Sequence, residues 1–272
     1  MTKSSPKEPQ TAQAQKSTLA TNIALAIGLI AWVGLCIYLS QLLSRYLFSW
    51  ILQTFHIELT ATVTSIYYLF IEAVTILIMF GLPILLRKRF PKLASNPIFE
   101  KPSREELGLM GLPTWTDILL SPIGFIIYLA TSHVVIDFLA KALPWFNAAE
   151  RQEPYSNIYA VGDKIFAFAI LAIIVPIVEE VIFRGFLYGR LRKHLNLPVS
   201  MLLASLLFTA LHGQWNVRVD VFILSLTLCG LREITGTIYA GILIHVIKNS
   251  IALYYLFALS GMPTYSVILF PL

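Results

Sequence analysis

Val175-Pro176-Ile177-Val178-Glu179-Glu180-Val181-Ile182-Phe183-Arg184-Gly185 is the stretch whose reading decides the fold. Two glutamates and an arginine interrupt an apolar run that extends from about Ile165 to Leu187. A bilayer crossing needs about 20 mostly apolar residues, so the run is long enough to span. Each charge at the centre of such a helix costs roughly 2.5–3.5 kcal/mol on insertion scales. Three of them together therefore call for partners supplied by the rest of the chain.

Composition agrees with a membrane setting. Of 272 residues 57% are hydrophobic and 13% charged, which predicts an all-α, polytopic transmembrane bundle of about seven helices. The net charge of +5 does not indicate nucleic acid, because the basic residues cluster beside apolar segments. There they set orientation and attract lipid headgroups. Cys36 and Cys229 lie in apolar stretches and read as small buried hydrophobes.

Four regions follow along the chain. Residues 1–18 are polar and read as a disordered cytosolic tail, with no cleaved signal peptide expected. Residues 19–160 hold N-terminal transmembrane helices and connectors, 161–260 the core that carries the charges, and 261–272 a short extracytoplasmic tail. Within them the expected spans are Leu19 to Leu39, Val63 to Leu86, Asp117 to Leu139, Lys164 to Tyr188 and Ile238 to Leu259. Two shorter helices, Pro198 to His212 and Val219 to Leu231, are expected to lie buried among them.

The block Arg87-Lys88-Arg89 with Lys92 puts its end, and the N-terminus, in the cytoplasm; Arg190, Arg192 and Lys193 agree. Arg45, Tyr46, Trp50 and His56 read as an interfacial stretch, and Trp145, Phe146 and Tyr155 as outer-loop anchors. Arg104-Glu105-Glu106, in the connector from Pro91 to Trp115, reads as a solvated charge run.

Three motifs place polar groups at helical spacing. In Glu179-Glu180-x-x-x-Arg184 the i, i+4 rule pairs Glu180 with Arg184, and Glu179, about 100° away, needs a partner on another helix. Phe208-x-x-x-His212 ends a short apolar helix, and His245-x-x-x-Asn249 projects two polar groups to one side of the last span. Lys248 is differently directed and falls outside the expected site. Counting about 1.5 Å per residue from the inner boundaries puts the motifs at a common depth of roughly 12–20 Å. They can meet in one cavity open to the cytosol.

These motifs resemble those of the CPBP family, the CAAX proteases and bacteriocin-processing (abortive-infection) proteins, over about Ile165 to Tyr255. Many relatives carry proline just upstream of the last histidine, where this chain has Ala240-Gly241. The resemblance implies an intramembrane endopeptidase that cleaves a peptide bond with glutamate-activated water. On that reading Glu179 is the general base and His212 shares the water. Glu180 and Arg184 form a supporting ion pair, His245 and Asn249 donate to the oxyanion, and Phe208 lines the wall. No cofactor is expected on this version.

A zinc reading with Glu179, His212 and His245 as ligands competes. It is less favoured because there is no His-Glu-x-x-His and Asn249 is a poor zinc ligand. The implied partners are a peptide or protein substrate, lipidated in some relatives, together with membrane lipids. The implied location is the plasma membrane of a bacterium or an organelle-derived membrane.

Two other function classes compete: a non-enzymatic scaffold or bacteriocin-immunity protein that binds a partner, and a transporter that uses buried charge. Glu72 and the i, i+4 pair His133 and Asp137 also lie in apolar spans. The pair reads as structural, and the position of Glu72 relative to the cavity stays open.

Overall fold

A computed structural model describes residues 10–58, 60–94, 96–148 and 161–258. The described residues form helices and connecting turns, with seven long helices in chain order. These are α1 (Gln10–Phe55), α2 (61–89), α3 (Trp115–Ala142), α4 (Val161–His194), α5 (Leu197–Ala210), α6 (Trp215–Thr235) and α7 (Tyr239–Ala258). Stretches of α1 (Thr18–Phe55), α2 (Thr62–Arg89), α3 and α4 are long and apolar enough to cross a membrane. The all-α, membrane-type architecture expected from composition is borne out.

Boundaries follow local chemistry. Thr60 caps α2 through its hydroxyl, Thr114 and Asp117 form a reciprocal capping box on α3, and Asn196 caps α5 ahead of Pro198. Gly236, with φ of 73°, ends α6 in the left-handed conformation that glycine adopts without penalty.

Several expectations shift. The first span does not stop at Leu39 but runs unbroken through Arg45 and Trp50 to Phe55. Mostly apolar positions with no helix breaker explain why. The second short helix covers 21 residues, because its polar Asn216 and Asp220 are buried rather than excluded from the bundle. Phe146 is buried at 6% exposure and so packs inward, whereas Trp145 lies outside and meets Trp215 edge-on. The expected tail lies outside the described residues through residue 9, with α1 starting at Gln10; Tyr155 and the 261–272 tail also lie outside them.

The core sits around α4, in which every residue from Ile182 to Tyr188 is buried. Leu29, Val33 and Cys36 of α1, Ala204 and Phe208 of α5, and Val217, Val221 and Cys229 of α6 pack with Ile182, Phe183, Phe186 and Leu187. A second cluster joins Tyr128 of α3 with Leu224 and Leu228 of α6 and Ile244 of α7. Large apolar side chains on the outer face of α3, among them Leu119, Ile126, Val134 and Phe138, remain exposed and suit contact with lipid tails. Both cysteines are fully buried, as their apolar settings predict.

Two π-helical stretches, Ala169–Ile174 and Val181–Tyr188, flank the α-helical Val175–Glu180. Pro176 accounts for an irregularity at the first. In the π turn Val175 donates to Ile170, five residues back. The next bond in that register would join position 176 to the Leu171 carbonyl, but proline has no N–H. Asn249 of α7 supplies the donor instead, its side-chain amide lying 3.2 Å from the Leu171 oxygen.

The connector between α2 and α3 packs beneath this helix. A Cβ at Gly185 would stand 2.9 Å from the Leu107 carbonyl oxygen, and one at Gly189 would stand 3.0 Å from that of Glu106. Glycine at both positions lets backbone approach backbone. Arg190 then clamps the connector, donating to the carbonyls of Pro97, Ile98 and Glu100 and pairing with Glu106 at 2.7 Å. Lys193 reaches the same carboxylate at 3.2 Å.

The expectation of a solvated charge run therefore holds for Arg104 and Glu105 but fails for Glu106, which is drawn under α4 by two cations. Burial works against the charge of Glu106. Its bonds with Arg190 and Lys193 nevertheless hold the carboxyl below the usual carboxylate range.

Candidate active site

Glu179 and Glu180 are neighbours with different fates. Glu180 is sealed, with no side-chain exposure, whereas Glu179 retains 21%. The i, i+4 pairing expected within the helix is present: Arg184 Nη1 donates to Glu180 Oε1 at 2.8 Å. The guanidinium also lies over the Phe208 ring, 4.4 Å from its centroid, which adds a cation–π contact inside the bundle. Gly241 makes room for this pair, because a Cβ there would stand 3.0 Å from Glu180 Oε2. The departure from proline at Ala240-Gly241 thus has a local cause, since the acid approaches α7 closely.

His245 joins the two carboxylates across the helix interface. Its Nδ1 lies 2.9 Å from Glu180 Oε1, and its Nε2 lies 3.5 Å from Glu179 Oε2. A carboxylate in an ion pair with Arg184 only accepts, so Nδ1 carries a hydrogen. Nε2 is then the nitrogen that faces Glu179. Arg184, Glu180, His245 and Glu179 form a continuous chain from a buried cation to an accessible carboxylate.

His212 sits at the end of α5 with its Nδ1 3.0 Å from the Phe208 carbonyl oxygen. A carbonyl only accepts, so Nδ1 bears the hydrogen and Nε2 presents a lone pair. The Phe208 ring separates the two histidines, edge-on to His212 at 5.1 Å and to His245 at 6.0 Å. Phe208 packs against Arg184 and spaces the two imidazoles. Arg218 fixes the turn that carries His212 by donating to its backbone oxygen at 2.6 Å.

The arrangement brings together Glu179, Glu180, Arg184 and His245 by direct polar contact, with His212 attached through Phe208. Asn249 is on the same helix one turn beyond His245, but one of its amide hydrogens is directed to Leu171. Glu72 lies on α2, and its charge acts on Glu179 across the helix interface. His133 and Asp137 lie on the exposed side of α3, and Asp137 pairs with Lys141 at 2.6 Å rather than depending on His133. That pairing follows the same helical spacing one turn further on.

A polar cluster beside the site was missed by motif reading. Asp220, 1% exposed, accepts from Tyr128 at 2.7 and 2.9 Å and from Ser132 at 2.5 Å, and Lys248 Nζ lies 3.7 Å away. Lys248 falls outside the expected site by its angle from His245, and its long stem carries the ammonium towards Asp220 of α6. A lysine inside an otherwise apolar helix was the available signal.

The zinc reading gains no support from the donor geometry. Among the described residues no group of three His, Cys, Asp or Glu side chains is arranged to hold a metal ion. His245 gives Nδ1 to Glu180, and the 3.5 Å between its Nε2 and Glu179 Oε2 is a spacing that two ligands of one zinc ion would show, so what the described residues lack is a third donor beside them.

Fold and site together define a class: a membrane-embedded helical protein with a carboxylate–histidine centre sealed on one side by an ion pair. The comparison with protein families is consistent with this. Residues 161–251 match the family model described as type II CAAX prenyl endopeptidase Rce1-like, so the motif resemblance is borne out over the segment that carries every candidate residue. No curated protein and no solved structure matches the chain.

Proposed function

We propose that the protein is a CAAX-type intramembrane endopeptidase that hydrolyses a peptide bond with water activated by Glu179. The observation that carries this reading is the chain Arg184–Glu180–His245–Glu179, which ends on the more accessible of the two adjacent carboxylates. Glu179 takes a proton from water, and its contact with His245 Nε2 offers a route by which that proton is relayed to the leaving amine. Glu180 and Arg184 orient His245 from the other nitrogen.

His212, through the lone pair on Nε2, positions the attacking water. The free N–H of Asn249 and a protonated His245 are the donors available to a developing oxyanion. The substrate is a peptide or protein terminus associated with the membrane, and lipidation of that terminus would place it at the depth of the site. The basic ends of α2 and α4 support a cytoplasmic N-terminus, with the docked connector on the same side.

Cleavage of a membrane-tethered peptide by purified protein in proteoliposomes tests the reading. Glu179→Gln removes the base and is expected to lower turnover by at least about a hundredfold, with the fold intact by thermal unfolding. Equal turnover by the two proteins would overturn the assignment. Comparison of protein termini in cells with and without Glu179→Gln would then name substrates.

A further inference from the structure

A cavity of about 170 Å³ lies where α1, the end of α4 and the connector between α2 and α3 meet. An engineered core cavity of about 150 Å³ takes up benzene, so this one admits a small polar group but not a whole lipid. Its wall on α1 is apolar, formed by Leu25 and Leu29 one turn apart. Leu29 is buried and Leu25 partly exposed, so this wall leads from the interior to the surface. The facing wall carries Glu100 and Glu106 of the connector with Arg190, Lys193 and His194 of α4.

The charges there are unequally engaged. Arg190 directs its donors to the carbonyls of Pro97, Ile98 and Glu100 and to Glu106 Oε1. Lys193 meets the same Oε1 at 3.2 Å, yet its side chain is 58% exposed, and an ammonium has three N–H donors. Glu106 receives both cations on one oxygen, so Oε2 can take a further donor. Glu100 is exposed and adds a second carboxylate. His194 Nδ1 lies 3.3 Å from Asn22 Oδ1; as the donor of that bond it leaves Nε2 an acceptor. The two acids and two bases of the lining sum to no net charge.

The depth is that of a lipid headgroup. The apolar part of α1 begins at Thr18, and Asn22, beside His194, follows about 6 Å along the helix. Leu25 and Leu29 lie roughly one and two turns deeper.

We propose that this cavity holds the headgroup of a phospholipid that bears a primary amine. Lys193 takes the phosphate, Glu100 and Glu106 take the ammonium, and the acyl chains leave past Leu25 into the bilayer. A lining without net charge favours a zwitterion over an anionic headgroup, which would call for a surplus of cations. A primary ammonium has N–H groups for carboxylates, whereas a quaternary one is recognised by aromatic faces. No Phe, Tyr or Trp among the described residues lines this cavity. The site stands apart from the carboxylate–histidine centre and does not depend on the hydrolase reading. A lipid seated there joins α1 and the connector to the helix that bears Glu179.

Native mass spectrometry of the full-length protein in detergent tests this by detecting bound lipid directly. The probes share their acyl chains and differ in headgroup: phosphatidylethanolamine, phosphatidylcholine and phosphatidylglycerol. Phosphatidylethanolamine is expected to bind about tenfold more tightly than either of the others, the difference that charge-assisted hydrogen bonds make. Glu100→Gln should reduce its advantage over phosphatidylcholine, and Lys193→Gln should weaken both. Should a charge variant unfold, Leu25→Trp fills the cavity from its apolar wall, and loss of bound phosphatidylethanolamine is expected there too.

Equal binding of the three lipids would overturn the proposal. So would a preference for phosphatidylglycerol that Lys193→Gln removes, which marks general attraction to a basic surface. Displacement of phosphatidylethanolamine by inorganic phosphate alone would assign the site to a free anion and overturn it as well. An unchanged preference in both Glu100→Gln and Leu25→Trp would place the lipid elsewhere on the molecule, with the same consequence.

Discussion

At the scale of single residues, two adjacent glutamates do different work because a helix turns about 100° between them. Glu180 faces Arg184 and His245 and is sealed; Glu179 keeps part of its side chain exposed. Removing Arg184 leaves a buried carboxylate uncompensated, a change that costs about 3–5 kcal/mol when one partner of such a pair is lost. Arg184→Met is therefore expected to lower the thermal midpoint in detergent far more than Glu179→Gln does, as parallel melting curves would show.

Gly241→Ala should act through the same acid. The added methyl meets Glu180 Oε2 at 3.0 Å, so the carboxylate must shift away from His245. Overpacking of this kind costs about 1–3 kcal/mol. The expected result is a clear fall in turnover with a modest fall in stability, and unchanged turnover would count against the Glu180–His245 contact. Sequence made the Glu180–Arg184 pair legible, because helical spacing alone dictates it. It did not reveal Gly241 as a clearance, because that role depends on how closely α4 and α7 approach.

At the scale of elements, α4 departs from regular geometry on both sides of the glutamates, and α7 repairs one of the defects. Pro176 leaves the Leu171 carbonyl without a backbone donor, and Asn249 fills the gap. Asn249→Ala should then cost about 1–2 kcal/mol of stability, the usual penalty for stranding a buried acceptor. Pro176→Ala, which restores an N–H at the missing position, should make Asn249→Ala less damaging in the double variant. Additive losses in a double-mutant cycle would show that the two residues are unconnected.

The periodicity of the sequence disclosed the helices because long apolar runs are hard to mistake. It could not disclose the π turns, where one extra residue per turn leaves composition unchanged. Asn249 was legible as a polar residue on the histidine face, and its engagement with Leu171 was not, since that bond exists only between packed helices. Lys248 shows a related limit: the angle of a Cα around the helix does not fix where a four-carbon stem ends.

At the scale of the whole molecule, the connector between α2 and α3 is tied to α4 by Glu106, Arg190 and Lys193, and to the start of α7 by Tyr239, whose hydroxyl donates to the Gly111 carbonyl. Because the carboxyl of Glu106 is held below its ordinary range, its contribution is present at neutral pH, above the value it has in the unfolded chain. The contribution is lost as pH falls through the lowered folded value, when the group protonates. Limited proteolysis of the connector should accordingly accelerate on acidification, and Glu106→Gln should show the faster cleavage already at pH 7. A cleavage rate indifferent to both changes would mean that the clamp rests on the carbonyl contacts of Arg190 alone.

The connector was the least legible part of the chain. Its charges look like those of any surface loop, and the glycines that receive it, Gly185 and Gly189, lie some eighty residues away within an apolar helix. The match to the family model starts at residue 161, well after this segment ends. A chain cut down to the matched stretch would keep every residue of the candidate site yet strip the underside of the helix that bears them, baring Arg190 and a groove shaped for another backbone. Likeness of motif and completeness of packing therefore part company here: the stretch traced by its motifs is not the stretch that supplies all of its own contacts.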